Sequence, residues 1–222
     1  MRFLGLEPDA VVARSAGATV NATQASAARS TLLGALGFGV ASLLVFGSWA
    51  VAGPALYRMG GEAGAYLVWA AAFILLSGAG LSGLVVGHGN RMRFLAAFAI
   101  AFSAYAAVWM AGWFALRNRT GEVAGAVGGT AAFALVLCRT FGTARAWPDV
   151  ALHLFIGNTV GYFTGSAAYD SLGGTAGKLA WGALYGIGFG AGIGASLHRV
   201  QEGVRLRLQA RSEPGPAAQA AP

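Results

Sequence analysis

Three histidines, one carboxylate and one amide are the residues of this chain whose type and position invite chemistry. His88, His153 and His198 fall at one end of their apolar stretches, and Asp149 precedes His153 by one helical turn. Three imidazoles and a carboxylate at one depth make a weak candidate metal site or pH sensor, because imidazole ligates first-row metals and titrates near neutrality. The plainer account is that a histidine near a helix C-terminus favours the macrodipole and that His153 pairs with Asp149 across the turn. On that account no metal and no cofactor is expected. Asn158 and Thr159 stand at the middle of an apolar segment, where an amide must find a partner. With Thr164 they could line the path of a solute. The competing expectation is a hydrogen bond between helices, worth about 0.6–2 kcal/mol. The single cysteine, Cys138, excludes an internal disulfide and any multi-cysteine zinc or iron–sulfur centre.

The elements that carry these residues are apolar throughout. The chain has 222 residues, 56% hydrophobic and 10% charged, where an average soluble domain has about 25% charged residues. Six apolar segments stand out, over residues 31–53, 66–87, 94–116, 122–138, 150–168 and 178–197. Lipid cannot satisfy free backbone groups, and runs such as AAAFILLSGAG have no period of two, so these segments are helices rather than barrel strands. The predicted fold is an all-α membrane protein, a glycine-packed bundle of six transmembrane helices. Residues 1–30 read as a cytoplasmic N-terminal tail, 31–198 as the transmembrane domain, and 199–222 as a basic, then disordered, cytoplasmic tail. Within that tail Val200, Val204 and Leu208 fall on one stripe, as they would if the helix continued.

The net charge of +7 is distributed as a topology signal rather than as a nucleic-acid footprint. Arg2, Arg14, Arg29, Arg91, Arg93, Arg139, Arg145, Arg199, Arg205, Arg207 and Arg211 lie on the side of the termini. Arg58, Arg117, Arg119 and Lys178 lie on the other. The positive-inside rule then makes both termini cytoplasmic, and the Arg-, Ala- and Gly-rich composition suits a bacterial inner membrane. Trp49, Trp69, Trp109, Trp113 and Trp181, with Tyr57, Tyr66, Tyr169 and Tyr185, fall toward the outer ends of their segments and read as a headgroup belt. The expected partners are the bilayer, with anionic headgroups near the C-terminal arginines, and either a second copy or a membrane-complex subunit. No nucleic acid is expected.

Glycines recur every four residues in the last three segments: Gly121, Gly125 and Gly129; Gly157, Gly161 and Gly165; Gly182, Gly186, Gly190 and Gly194. Positions four apart share a helix face, and small residues there let two backbones approach. Gly186, Gly188 and Gly192 lack the preceding strand that a nucleotide-binding glycine loop requires. Gly80-Leu81-Ser82-Gly83 resembles the GxSG nucleophile motif of rhomboid intramembrane proteases, which also have a six-helix core. That family carries its serine in the fourth helix with a histidine partner in the sixth. Here the motif is in the second segment, and His198 lies at the extreme end of the sixth, so the chain is not assigned to that family. With no carboxylate inside the segments, proton or sodium coupling is not expected. The sequence thus points to a small-solute or ion facilitator. The alternatives are a structural or assembly subunit that docks through its glycine faces, and a membrane enzyme working at the cytoplasmic face.

Overall fold

The computed structural model describes residues 4–15, 26–87 and 89–212, and all regular structure among them is helical. The seven helices are α1 (Pro8–Arg14), α2 (Ala27–Leu81), α3 (Arg91–Leu116), α4 (Arg119–Thr140), α5 (Trp147–Leu172), α6 (Gly174–Val200) and α7 (Glu202–Ser212). Three helices are long and apolar enough to cross a membrane: Ala27–Leu84 (α2 with the 3-10 turn that ends it), Arg91–Leu116 and Arg119–Thr140. The outward face of α2 repeats Leu32, Leu36, Val40 and Leu44, each more than half exposed, where a water-soluble helix would carry charge. Helices α5 and α6 are as long, with 26 and 27 residues. Their glycines, and in α5 also His153 and Asn158, dilute their apolar character.

α2 is two rods. At Gly61 the backbone turns to φ 63°, ψ −171°, a conformation that a side chain would strain, and the chain folds back on itself. The two arms, 27–60 and 62–81, run antiparallel, with Gly37 against Gly80 and Ser48 against Trp69. α3 and α4 form a second hairpin through Arg117 and Asn118, whose side chain accepts from the Gly121 amide at 3.1 Å and caps α4. α5 and α6 form a third through Gly173, at φ 62° and ψ 177°. All three hairpins turn at one end of the molecule; the first and last described helices, α1 and α7, pack together at the other.

Glycines set the distance between these rods. A Cβ built on Gly190 would stand 2.5 Å from the Gly34 carbonyl oxygen, and one on Gly186 2.7 Å from the Cα of Gly39. The same stripe of α6 meets Phe46 at Gly182 and the Ser30 carbonyl at Gly194. Across the third hairpin, a Cβ on Gly157 would stand 2.5 Å from the Gly188 oxygen and one on Gly161 2.8 Å from the Leu184 oxygen, while Gly165 faces Trp181. In the second, Gly121, Gly125 and Gly129 lie against Gly112, Trp109 and Tyr105. Every glycine of the three stripes therefore faces a neighbouring rod of this same chain. Ser42, unremarkable in the sequence, adds a buried hydrogen bond of 2.7 Å to the Gly182 carbonyl.

The terminal segments, read from sequence as tails, contribute folded structure. Leu6 is fully buried, and Val11 and Val12 of α1 join Val86, Val204 and Leu208 in a small second core. Asp9 pairs with Arg207, and Arg211 donates to the Val12 carbonyl at 3.3 Å. Gln201 is buried and ties three pieces together: its amide donates to the Leu84 and Leu197 carbonyls and its oxygen accepts from the Val86 amide. The stripe Val200, Val204, Leu208 is what docks α7, because apolar residues four apart leave one helix face to bury. The tail from residue 213 onward lies outside the described residues.

The glycine contacts predict an uneven tolerance to a single methyl group. Gly190→Ala puts carbon into the Gly34 backbone and should lower the unfolding midpoint in detergent by an amount equivalent to about 1–3 kcal/mol. Gly39→Ala, whose Cβ would meet its nearest neighbours at 3.9 Å, should unfold close to wild type. Equal midpoints for the two variants would refute the close approach.

Candidate functional site

At the end where the hairpins turn, the rods leave a partly open cavity of about 170 Å³. Its walls are built at helical spacing. Val45, Phe46, Trp49 and Tyr57 come from the first arm of α2, and Tyr66, Trp69, Ala70 and Phe73 from the second. Phe102, Tyr105, Ala106, Trp109 and Met110 come from α3, Tyr162 from α5, and Trp181 and Tyr185 from α6. Residues three and four apart put one face of each rod on the cavity. Twelve of these sixteen residues are aromatic, and none carries a charge.

The floor is polar and buried. Tyr105 donates its hydroxyl proton to Oδ1 of Asn158 at 2.7 Å, and the Tyr105 and Tyr185 oxygens stand 3.2 Å apart. Since the Tyr105 proton is spent on Asn158, the proton between the two phenols comes from Tyr185. Asn158 is 1% exposed and its Nδ2 has no partner among the described residues. The rim is held by Glu122, which accepts from the Tyr162 hydroxyl at 3.1 Å and from Arg119 at 3.0 Å. Below the floor the bundle is filled by rings. Phe38 stacks on Phe73 and meets Phe189 edge-on, each pair at 5.3 Å, and Tyr105 lies 5.0 Å from Phe189. Phe94, Phe98 and Phe133 continue the column, all fully buried.

The residues singled out from sequence separate in space. Asn158 enters the core as a bridge between α5 and α3. Thr159 is half-buried beside it, with its hydroxyl buried and unpartnered among the described residues. Thr164 is exposed on another face of α5 and bonds back to the Val160 carbonyl. Six residues on a helix are a turn and two-thirds, so Asn158 and Thr164 cannot share a face. Asp149 pairs with Arg199 of α6 at 2.9 Å, and His153 is exposed. No three of His, Cys, Asp and Glu converge among the described residues, and His88 lies outside them. Arg199, Arg205, Arg207 and Arg211, expected at headgroups, are each bonded within the chain. Ser82 of the GxSG stretch donates to its own helix, at the Ala79 carbonyl.

The cavity itself was not singled out in the sequence. Trp49, Trp69, Trp109, Trp181, Tyr57, Tyr66 and Tyr185 read as a belt facing headgroups, yet they line the interior, with Trp69 and Tyr185 less than a tenth exposed. A belt needs its rings on the lipid face, and here rings opposite the exposed Leu and Val stripes were the available signal. No family model, curated protein or solved structure matches the chain.

At the far end, His198 accepts from Arg205 at 3.1 Å through Nε2, and Arg205 also donates to the His198 carbonyl at 2.6 Å. Burial, then the Arg205 charge, holds the imidazole below its ordinary value of 6.5, while Glu202 opposes the shift. The unfolded chain therefore binds a proton here more readily than the folded one. This group's contribution to stability is complete above the unfolded value and is lost as the pH falls below it. Between about pH 8 and about pH 5.5 the unfolding midpoint of the wild type should drop further than that of His198→Gln. Parallel curves for the two proteins would show that the contact does not form.

Proposed function

We propose that this chain is a glycine-packed bundle of six membrane-spanning helices that takes a small solute into the aromatic cavity from the outer face and passes it inward as a facilitator. The observation that carries the reading is the cavity: an aromatic, uncharged pocket over a buried Tyr105–Asn158–Tyr185 floor. Ligand sites are commonly concave and apolar with a few placed polar groups, and in helical bundles they lie between helices. Six spans are supported by the rods themselves. The 55-residue α2 divides at Gly61, and α5 and α6, at 26 and 27 residues, are each about 39 Å long, more than a hydrocarbon core of about 30 Å. The arginines gathered with the termini support a cytoplasmic placement of that end and an outer placement of the cavity. Arg207 and Arg211, exposed as well as bonded, remain free to meet anionic headgroups on the cytoplasmic side.

The phenylalanine column and the clamp of α1 on α7 close the inner half, so the conformation described is the inward-closed one. Transport then requires these rods to shift against one another. Docking through glycine faces is the weaker alternative, because each stripe is already covered within the chain. An enzyme at the cytoplasmic face is weaker still, since the histidines and Asp149 do not gather there among the described residues.

Two measurements test this reading. Cysteines introduced as Gly60→Cys and Gln209→Cys should react with an impermeant reagent from opposite sides of sealed vesicles. Reaction from the same side would overturn the six-span topology. In liposomes, flux across a panel of small neutral, cationic and anionic solutes should appear for at least one of them. Ala106→Phe, which fills the cavity, should abolish that flux while leaving the unfolding midpoint near wild type. No flux for any solute would sink the facilitator reading.

A further inference from the structure

We propose that the solute of this cavity is a small N-methylated ammonium ion bearing a hydroxyl group, an amino alcohol of the choline type. The inference rests on reading the cavity as a solute site and adds the chemical class. Aromatic faces carry negative potential, and a cation desolvated among them gains more than a neutral group of the same shape. The walls hold four tryptophans and five tyrosines and no basic side chain. The same end of the molecule already gathers cations on rings: the Lys178 ammonium lies 4.5 Å from the centre of Trp49, a wall residue, and Arg119 lies 4.2 Å from that of Phe163. Tyr162, another wall residue, donates its proton to the Glu122 carboxylate, which enriches its ring; that carboxylate, shared with Arg119, is the acidic group nearest the wall that the rim supplies.

Methylation follows from what the walls lack. A primary ammonium carries three donors that all need acceptors, whereas a quaternary ammonium presents only methyl groups. The lining is mostly carbon, so it suits the methylated form. The hydroxyl follows from the floor. Tyr105 donates to Asn158 and Tyr185 donates to Tyr105, so the Tyr185 oxygen keeps its lone pairs and presents an acceptor without a free proton. An alcohol can donate there and accept in return from the wall residue Trp181, whose Nε1–H has no partner among the described residues. Size agrees as well. An apolar cavity of about 150 Å³ holds benzene, so about 170 Å³ accommodates roughly six to eight non-hydrogen atoms.

The test is a tryptophan-fluorescence titration of the full-length protein in liposomes. The ligands are choline and its uncharged carbon isostere dimethylbutanol. Choline should bind at least about tenfold more tightly than dimethylbutanol. Glu122→Gln should weaken choline several-fold and leave dimethylbutanol unchanged, a comparison that also controls for folding, whereas Tyr185→Phe should weaken both, because both carry the hydroxyl. If dimethylbutanol binds as tightly as choline, the cation proposal is overturned while the solute-site reading stands. If neither binds, yet another solute of the panel shows flux that Ala106→Phe removes, the proposal is again lost and the reading survives. If no solute binds or crosses, both fall.

Discussion

The contact on which the rest of this structure depends is backbone against backbone along α6. Apolar burial that would drive helices together in water gives little between helices surrounded by hydrocarbon. Association there rests on close van der Waals packing and on polar bonds. The stripe Gly182, Gly186, Gly190, Gly194 lets the first arm of α2 press on one side of α6, while Gly188 and Gly192 admit α5 on the other. One helix thus has two faces without side chains. It becomes the axis against which two other rods are fixed, and the buried Ser42 bond to Gly182 is made possible by that closeness.

Close packing at the glycines leaves the large side chains to fill what remains. Where the rods touch, rings cannot fit, so the aromatic residues collect between α2, α3 and α6. Away from the hairpin turns they interlock as the Phe38, Phe73, Phe102 and Phe189 cluster. Toward the hairpin turns the same ring faces stand apart and enclose the cavity. Site and core are therefore one aromatic column, filled at one end and hollow at the other. The polar step between them, Tyr105 with Asn158 and Tyr185, fixes the depth at which the hollow ends.

Helices α1 and α7 close the opposite end by ordinary soluble-protein means. Val11, Val12, Val86, Val204 and Leu208 bury a small core, and arginines bond to carbonyls and carboxylates around it. Movement of that end would have to release the Gln201 bonds to Leu84 and Val86 as well as the Arg205 contact with His198. The Gln201 bonds hold the junction of α6 and α7 to the turn that ends α2, the same helix whose first arm leans on the glycine stripe, and the Arg205 contact holds α7 to α6.

Much of this was readable from residue types alone. Apolar segment length and the lack of a period of two determined helices. Glycine every four residues marked the close-contact faces, and Val200, Val204, Leu208 marked a helix continuing past the last apolar segment. Asn158 was legible as a buried amide needing a partner, though its partners were not. Those properties follow from periodicity, which a single chain carries locally. Which rods face each other is not local: it turned Tyr105 and Tyr185 toward Asn158, sent Thr164 outward and gave Asp149 to Arg199. The aromatic cavity was hidden for the same reason. A tryptophan near the end of an apolar segment looks alike whether its ring meets headgroups or a neighbouring helix, and only the rotation of each rod about its axis, set by the glycine contacts, decides between them.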